Sequence, residues 1–345
     1  MIDYITPSAI DIRITDGANI VGANGQISFD TSSNTLYIYD GVTMGGRYSI
    51  ASEYVAPPPH TLQGSTSGYS SGGSPPSSNV IDKFPFSSDA NASDVGDLTQ
   101  ARSQPAGQSS TENGYTSGGN TPPSVNTIDK FPFAANANAA DVGDLTQGRY
   151  TSAGQSSAES GYTSGGSLLP SATSYSTIDK FPFSIDSSAS DVGDLTGSRH
   201  SVTGQTSSTS GYTSGGISPL NTIDKFPFSS DSNASDVGDL TQGRYRSAGQ
   251  SSDVSGYTSG GVNPASNVID KFPFAADANA TDVGDLTQAR QLVAGQSSTS
   301  SGYTTGGFDA AVTNIIDKFS FSADSNATDV GNLTQSRFGP TGQQV

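Results

Sequence analysis

Carboxylates are the one abundant reactive group in this chain, and they return at fixed spacing. Asp89, Asn91, Asp94 and Asp97 set side-chain oxygens close together in one segment, and the frame recurs as Asp231, Asn233, Asp236, Asp239 and as Asp277, Asn279, Asp282, Asp285. Oxygen ligands at alternate positions of a short loop are what Ca²⁺ requires. The frame departs from that chemistry: no bidentate Glu follows, the central Gly is displaced, Asn136 takes the first slot in the second copy, and Asn332 takes the last slot in the sixth. The competing reading is a pair of Asx-turns closing a loop. No cofactor is expected, with Ca²⁺ as the alternative.

Asp82, Lys83 and Arg102 form a second recurring set, with a copy of each in all six repeats. An unpaired buried charge is very costly, so on covered sheet faces these residues read as structural ion pairs between strands or adjacent units. A catalytic role would require six equivalent sites. Glycosidase work needs two carboxylates in opposed environments, whereas here identical Asp positions are repeated. The two histidines, His60 and His200, fall outside the repeated boxes, so a Ser-His-Asp arrangement has no local support. The absence of Cys removes disulfides, thiolate metal sites and thiol nucleophiles. The chain is expected not to be an enzyme. Asn91-Ala92-Ser93 and Asn279-Ala280-Thr281 match the glycosylation sequon, but Asn138-Ala139-Ala140 breaks it, and all are read as turns.

The elements that hold these groups follow from the repeat itself. The Ile of an IDKF box falls at Ile81, Ile128, Ile178, Ile223, Ile269 and Ile316, and the Tyr of a GY[ST][ST]GG box at Tyr69, Tyr115, Tyr162, Tyr212, Tyr257 and Tyr303. From each Ile to the next Tyr the distance is always 34, while the interval from the GG pair to Ile runs 8, 9, 12, 7, 8 and 9. One loop therefore absorbs all length variation around a rigid unit. Short strand-like runs separated by Gly, Ser and Asn/Asp clusters fit four strands into a period of about 47 residues, the arithmetic of a β-propeller blade. In the third unit the strands are expected near Arg149 to Ser156, Gly161 to Ser164, Thr177 to Phe183 and Val192 to Arg199. The GG doublets suit crowding near the axis, and Phe84-Pro85-Phe86 with its copies supplies two aromatics at strand period to fill the space between sheets.

Ring closure can be read from the ends. Later units are preceded by an Arg-x4-Gly-Gln box, which the segment before Tyr69 lacks and which reappears as Arg337 to Gln343. The C-terminal strand is expected to complete the first blade.

The order of strand, GG, variable loop, aromatic strand and Gly-Asp-Leu segment followed by Arg resembles the kelch-type propeller repeat over residues 61–345. The Trp typical of kelch repeats is absent from every unit, so packing there must differ. The wording N-x-I-D-K-F-x-F, D-V-G-D-L-T-x-x-R and G-Q-S-S resembles kelch-like arrays in structural proteins of tailed, especially marine, bacteriophages. The fold class expected is all-β: a six-bladed kelch-like β-propeller with a small N-terminal β module. The domains are 1–56, an attachment and oligomerisation module; 57–60, a Pro-rich linker; and 61–345, the propeller.

In the N-terminal module Gly25 to Asp30 and Thr35 to Gly41 read as the arms of a β-hairpin. This phrase is similar to modules that mount distal domains in phage tail and fibre proteins. The resemblance implies a virion structural protein of tail or fibre type. Its partners would be other virion proteins through residues 1–56 and a host-surface glycan or protein, and it would be a homo-oligomer. It would be assembled in the host cytoplasm and exposed on the particle. A capsid decoration or head-fibre protein and a glycan-binding propeller are the alternatives.

Charge and patterning bound the remaining classes. With 15 Lys+Arg against 32 Asp+Glu, the net charge of −17 repels nucleic acid and acidic membranes. No segment has the length and apolarity of a membrane span, and the first residues lack a secretory signal, so neither membrane insertion nor export by that route is expected. The drifting loops carry Pro75, Pro76, Pro122, Pro123, Leu168, Leu169, Tyr175, Leu220, Pro264 and Phe308. In a propeller these loops share one face, where they form a crown suited to binding.

Overall fold

In a computed structural model of the chain the described residues are Ile27–Asp30, Thr35–Ile38 and 63–345, without Pro219 and Asn263. The chain divides into two compact units, Met1–Pro59 and His60–Val345. In the first, Ile27–Asp30 pairs antiparallel with Thr35–Ile38, with Ile27 opposite Ile38 and Asp30 opposite Thr35. The rest of the expected mount, and the linker 57–60, lie outside the described residues.

The second unit is all-β, with no helix among the described residues, and consists of six four-stranded antiparallel sheets arranged as a six-bladed propeller. From the axis outward, the second blade runs Ala106–Ser109, Asn113–Ser117, Thr127–Pro132 and Ala140–Asp144. The first blade takes its inner strand from the far end of the chain: Thr341–Gln344 pairs with Ser67–Ser71, Gln343 facing Tyr69. The third blade differs from expectation at two strands. Its inner strand is Ala153–Ser156 and its outer strand Ser190–Asp194, so Arg149 to Ser152 and Leu195 to Arg199 are not strand. Both stretches belong to linkers, whose side chains turn onto the following blade instead of continuing a ladder.

The small apolar fraction of the sequence is explained by six separate cores, one at each joint between blades. Tyr69, Ile81 and Leu98 of the first blade and its linker meet Phe131 and Phe133 of the second, and the pattern repeats around the ring. In each joint the Tyr lies against the second Phe of the next blade with ring centroids 4.8–4.9 Å apart. Aromatic pairs of this kind contribute beyond simple burial, and here they fill the gap without any Trp.

The crowding at the axis is relieved by a different glycine from the one expected. It is the Gly of each Gly-Gln pair, not the GG doublet, that lies against the neighbouring inner strand. A Cβ on Gly154 would collide with the carbonyl of Gly107, one on Gly204 with that of Gly154, and so on through Gly249, Gly295, Gly342 and back to Gly107. The doublets sit at the end of the second strand, where Gly118 and Gly119 both take positive φ, 64° and 113°. Only Gly adopts that conformation without strain.

Two further hydrogen-bond sets join the blades. Gln108 Nε2 donates to Tyr162 O and Thr163 Oγ1 of the next blade, each at 2.9 Å, and the glutamines of the other repeats reach across in the same way. At the rim, Asp97 N donates to Asn138 Oδ1 and Ala139 N donates to Asp97 O, so the next blade covers the outer strand's open edge. An uncovered edge would be a template for aggregation. The Asn-Ala segments thus close a joint as well as turning the chain, and Ser188 takes the Asn role in the third blade.

Candidate functional site

The repeated charges fall into two groups with different environments. The linker leaving each blade carries a Thr and an Arg that converge on the buried Asp of the next. Thr99 N and Oγ1 donate to Asp129 at 2.9 and 2.7 Å, and Arg102 Nη2 lies 2.9 Å from Asp129 Oδ2, with both side chains fully buried. Arg149 and Asp179, and Arg244 and Asp270, pair in the same way. Asp82 takes Arg337 at 2.8 Å and Thr334, which ties the sixth linker to the first blade. Burial holds the Arg102 guanidinium below its usual pKa, while the Asp129 charge acts the other way. These groups hold neighbouring blades together, with the Nε of each arginine left without a hydrogen-bond partner.

The lysines pair in solvent. Lys130, Lys180, Lys225, Lys271 and Lys318 reach Asp186, Asp231, Asp277, Asp324 and Asp89 of the following blade at 2.5–3.1 Å. Lys83 is the exception, because Asn136 stands where the acid would be, and its ammonium lies 5.5 Å from the centre of the Tyr69 ring.

The Ca²⁺ candidate set does not converge. Asp89 Oδ1 accepts from Lys318, Asn91 Oδ1 from Asn332 N, and Asp94 Oδ1 from Gly96 N, while Asp97 N donates to Asn138. Among the described residues no group of three or more His, Cys, Asp or Glu side chains could hold a metal ion.

The variable loops all connect second to third strands, so strand alternation brings them to one face. Each rides on the linker entering its own blade: Ser103 pairs with Asn120, Tyr150 with Ser167, Tyr245 with Val262 and Gln291 with Phe308. On this face Pro75, Pro76, Pro122, Pro123 and Pro264 are exposed, whereas Leu168, Leu169, Tyr175, Leu220 and Phe308 are half-buried. The longest loop forms a small ribbon, Ser167–Leu168 against Thr173–Ser174, and Leu169 N donates to Ser124 Oγ of the neighbouring loop. Phe308 packs edge-on against Phe338 at 6.1 Å. The exposed large apolar residues, Ile185 and Val254, lie in connections at the opposite face.

Inside the crown lies a feature that sequence reasoning missed. A cavity of about 160 Å³ follows the axis between the six inner strands. Its mouth on the loop face is rimmed by Gln104, Thr151, Ser201, Arg246, Leu292 and Gly339. Their backbones form a closed circle of hydrogen bonds: Thr151 N donates to Gln104 O, Ser201 N to Thr151 O, Arg246 N to Ser201 O, Leu292 N to Arg246 O, Gly339 N to Leu292 O, and Gln104 N to Gly339 O, at 2.6–3.0 Å. All six take positive φ, between 56° and 62°, and only Gly339 is a glycine. The other five carry the strain of left-handed L-residues, about 1–2 kcal/mol each. Sequence signal for this rim existed in the x4 of each Arg-x4-Gly-Gln box, which reads SQPA, YTSA, HSVT, YRSA, QLVA and FGPT in otherwise nearly identical repeats.

His200, beside the rim, has its Nδ1 2.9 Å from Ser174 Oγ. Burial, and then the charge of Arg246, hold its pKa below the usual value. His60 lies outside the described residues. No protein-family model matches the chain, and no curated protein matches it.

Proposed function

We propose that this chain is a non-enzymatic structural protein of a tailed-phage virion, a tail or fibre component that displays its propeller for contact with the host surface. The observation that carries this reading is the confinement of repeat-to-repeat differences in loop length and rim side chains to one face of a ring whose joints hardly vary. A rigid scaffold whose loops vary in length on one face only is suited to recognition. The resemblance of the repeat wording to phage arrays supplies the setting, and the repeated Asp and Arg residues, engaged in joints, offer no set poised for turnover. In this reading residues 1–56 mount the ring on other virion proteins as a homo-oligomer, assembled in the host cytoplasm and exposed on the particle.

Cryo-electron microscopy of particles tests the proposal, with an antibody against the ring to mark its position. Six-bladed discs on tail appendages are the expected result. Discs over the capsid lattice would replace host contact by capsid decoration, and particles without discs would remove the virion reading. A screen of glycosidic and ester substrates checks the non-enzymatic part, and robust turnover would overturn it.

A further inference from the structure

Seven arginines lie among the described residues, and six of them face a buried Asp. Arg246, on the rim of the axial mouth, is the seventh and faces no carboxylate. Its Nη1 donates to Gln291 Oε1 at 3.0 Å, and its guanidinium carbon lies 5.5 Å from the centre of the Tyr245 ring. Its Nε is buried without a hydrogen-bond partner, as are the Nε atoms of the six joint arginines, so what sets Arg246 apart is its missing carboxylate and the cavity it lines. A buried donor without a partner is a group that a water or ligand is placed to satisfy. In a chain of net charge −17 this cation stands apart from the general acidity and concentrates a positive field at the channel entrance.

The surroundings narrow the ligand. The rim's backbone N–H groups are consumed by their own hydrogen-bonded circle, so recognition falls to side chains. Gln104 and Ser201 bring amide and hydroxyl groups, Thr151, whose hydroxyl donates to Tyr150 O, brings an acceptor oxygen, and Leu292 brings apolar surface. Gln104, Thr151, Ser201 and Arg246 follow one another around the circle and Leu292 comes next, and an arc of polar groups beside an apolar face suits a polyhydroxylated ring more than a bare ion. A cavity of about 160 Å³ holds on the order of ten waters, room enough for one six-membered sugar. Positive φ at five non-glycine residues is a further pointer, because strain retained at a site indicates side chains kept for a purpose other than stability.

We propose that the axial mouth binds one carboxylate-bearing sugar, of the uronic acid class, with Arg246 receiving the carboxylate and the rim amides and hydroxyls receiving the ring hydroxyls. This deepens the host-contact reading and rests on it for the source of the sugar, a surface polysaccharide with sparse uronic acid units, since a densely acidic one would be repelled by the net charge of −17.

Isothermal titration of the purified full chain with glucuronate, glucose and acetate is the test. Glucuronate is expected to bind one per chain, about tenfold or more tighter than either glucose or acetate, as a charge-assisted hydrogen bond combined with hydroxyl contacts predicts. Arg246→Gln should weaken glucuronate about tenfold or more and leave the melting temperature in place, and Arg246→Lys should retain part of the affinity. Leu292→Glu is a second, independent variant, which sets an internal carboxylate beside Arg246 and should also abolish binding. The proposal is overturned if glucuronate does not bind, if glucose or acetate binds as tightly, or if both Arg246→Gln and Leu292→Glu bind unchanged. These readouts concern the purified chain alone. Failure here alongside discs on tail appendages would remove the sugar acid and leave host contact standing.

Discussion

The joints between blades and the mouth of the axial channel are built from the same repeats, yet their copies agree to very different degrees. At the joints every repeat supplies the same Asp, Thr, Arg, Gln and axial Gly. Each of these holds two blades at once, so a change there is felt on both sides. At the mouth six different residues share one backbone conformation, and no rim side chain is copied from one blade to the next. The backbone circle alone maintains the geometry and leaves the side chains free to differ.

The largest effect expected at a joint comes from removing residues 337–345, which takes away the Arg337–Asp82 pair and the inner strand of the first blade. The ring then cannot close, and calorimetry should show loss of the cooperative transition; a truncated chain that melts unchanged would end the account of closure. Asp129→Ala comes next, because it leaves Arg102 buried without its partner. A loss of about 3–5 kcal/mol in denaturant unfolding is expected, against nearly none for a rim substitution such as Leu292→Ala.

The tyrosines at the six joints give a pH test of the same contrast. Burial pushes the phenols of Tyr69 and Tyr115 up to about 12, and those of Tyr162, Tyr212, Tyr257 and Tyr303 also upward. The folded state keeps them protonated where the unfolded chain, with an ordinary value near 10, begins to ionise. Their stabilisation is therefore complete below about pH 10 and is lost as the pH rises towards 12. Melting temperature against pH, followed together with phenolate absorbance, should fall across that window. A flat profile would mean that the phenols are not shielded in the joints.

Smaller effects are expected at the buried rim and at the exposed ion pairs. Thr151→Gly should stabilise the protein by about 1 kcal/mol, since a β-branched residue at φ 56° is relieved of strain. The melting temperature should then rise by about 2 °C, and a fall would show that the rim side chain contributes to stability. Asn136→Asp restores the acid that Lys83 lacks. An exposed pair of this kind contributes roughly 0.5 kcal/mol or less, so the change should lie near the limit of measurement.

Much of the ring was legible because repetition exposes it. The constant 34-residue interval marked the packed part of each blade, the drifting interval marked the loop, and the displaced Arg337 to Gln343 box marked the closing strand. What could not be read were relations between neighbouring blades. Spacing along one chain does not reveal which of two glycine motifs lies at the axis, and only the lack of room for a Cβ between Gly154 and the Gly107 carbonyl decides it. Leu195 to Arg199 continues the repeated wording of the outer strand, but Thr196 and Arg199 turn to reach Asp224 of the next blade, and that contact ends the strand. The rim stayed hidden for a related reason. Its members lie about 47 residues apart and share no side-chain type, so only the closed circle of backbone hydrogen bonds brings them together.

The composite first blade sets a timetable for synthesis. Ser67–Ser71 leaves the ribosome about 270 residues before Thr341–Gln344, an interval on the order of tens of seconds at about 5–20 residues per second. Through that interval the chain is an open arc whose first blade lacks its innermost strand. On a polysome neighbouring nascent chains carry the same vacancy and, soon after, the same Thr341–Gln344 strand to fill it. Dilution favours the strand of a chain's own tail, whereas crowding allows two arcs to close each other, so the yield of single rings depends on how densely the message is translated.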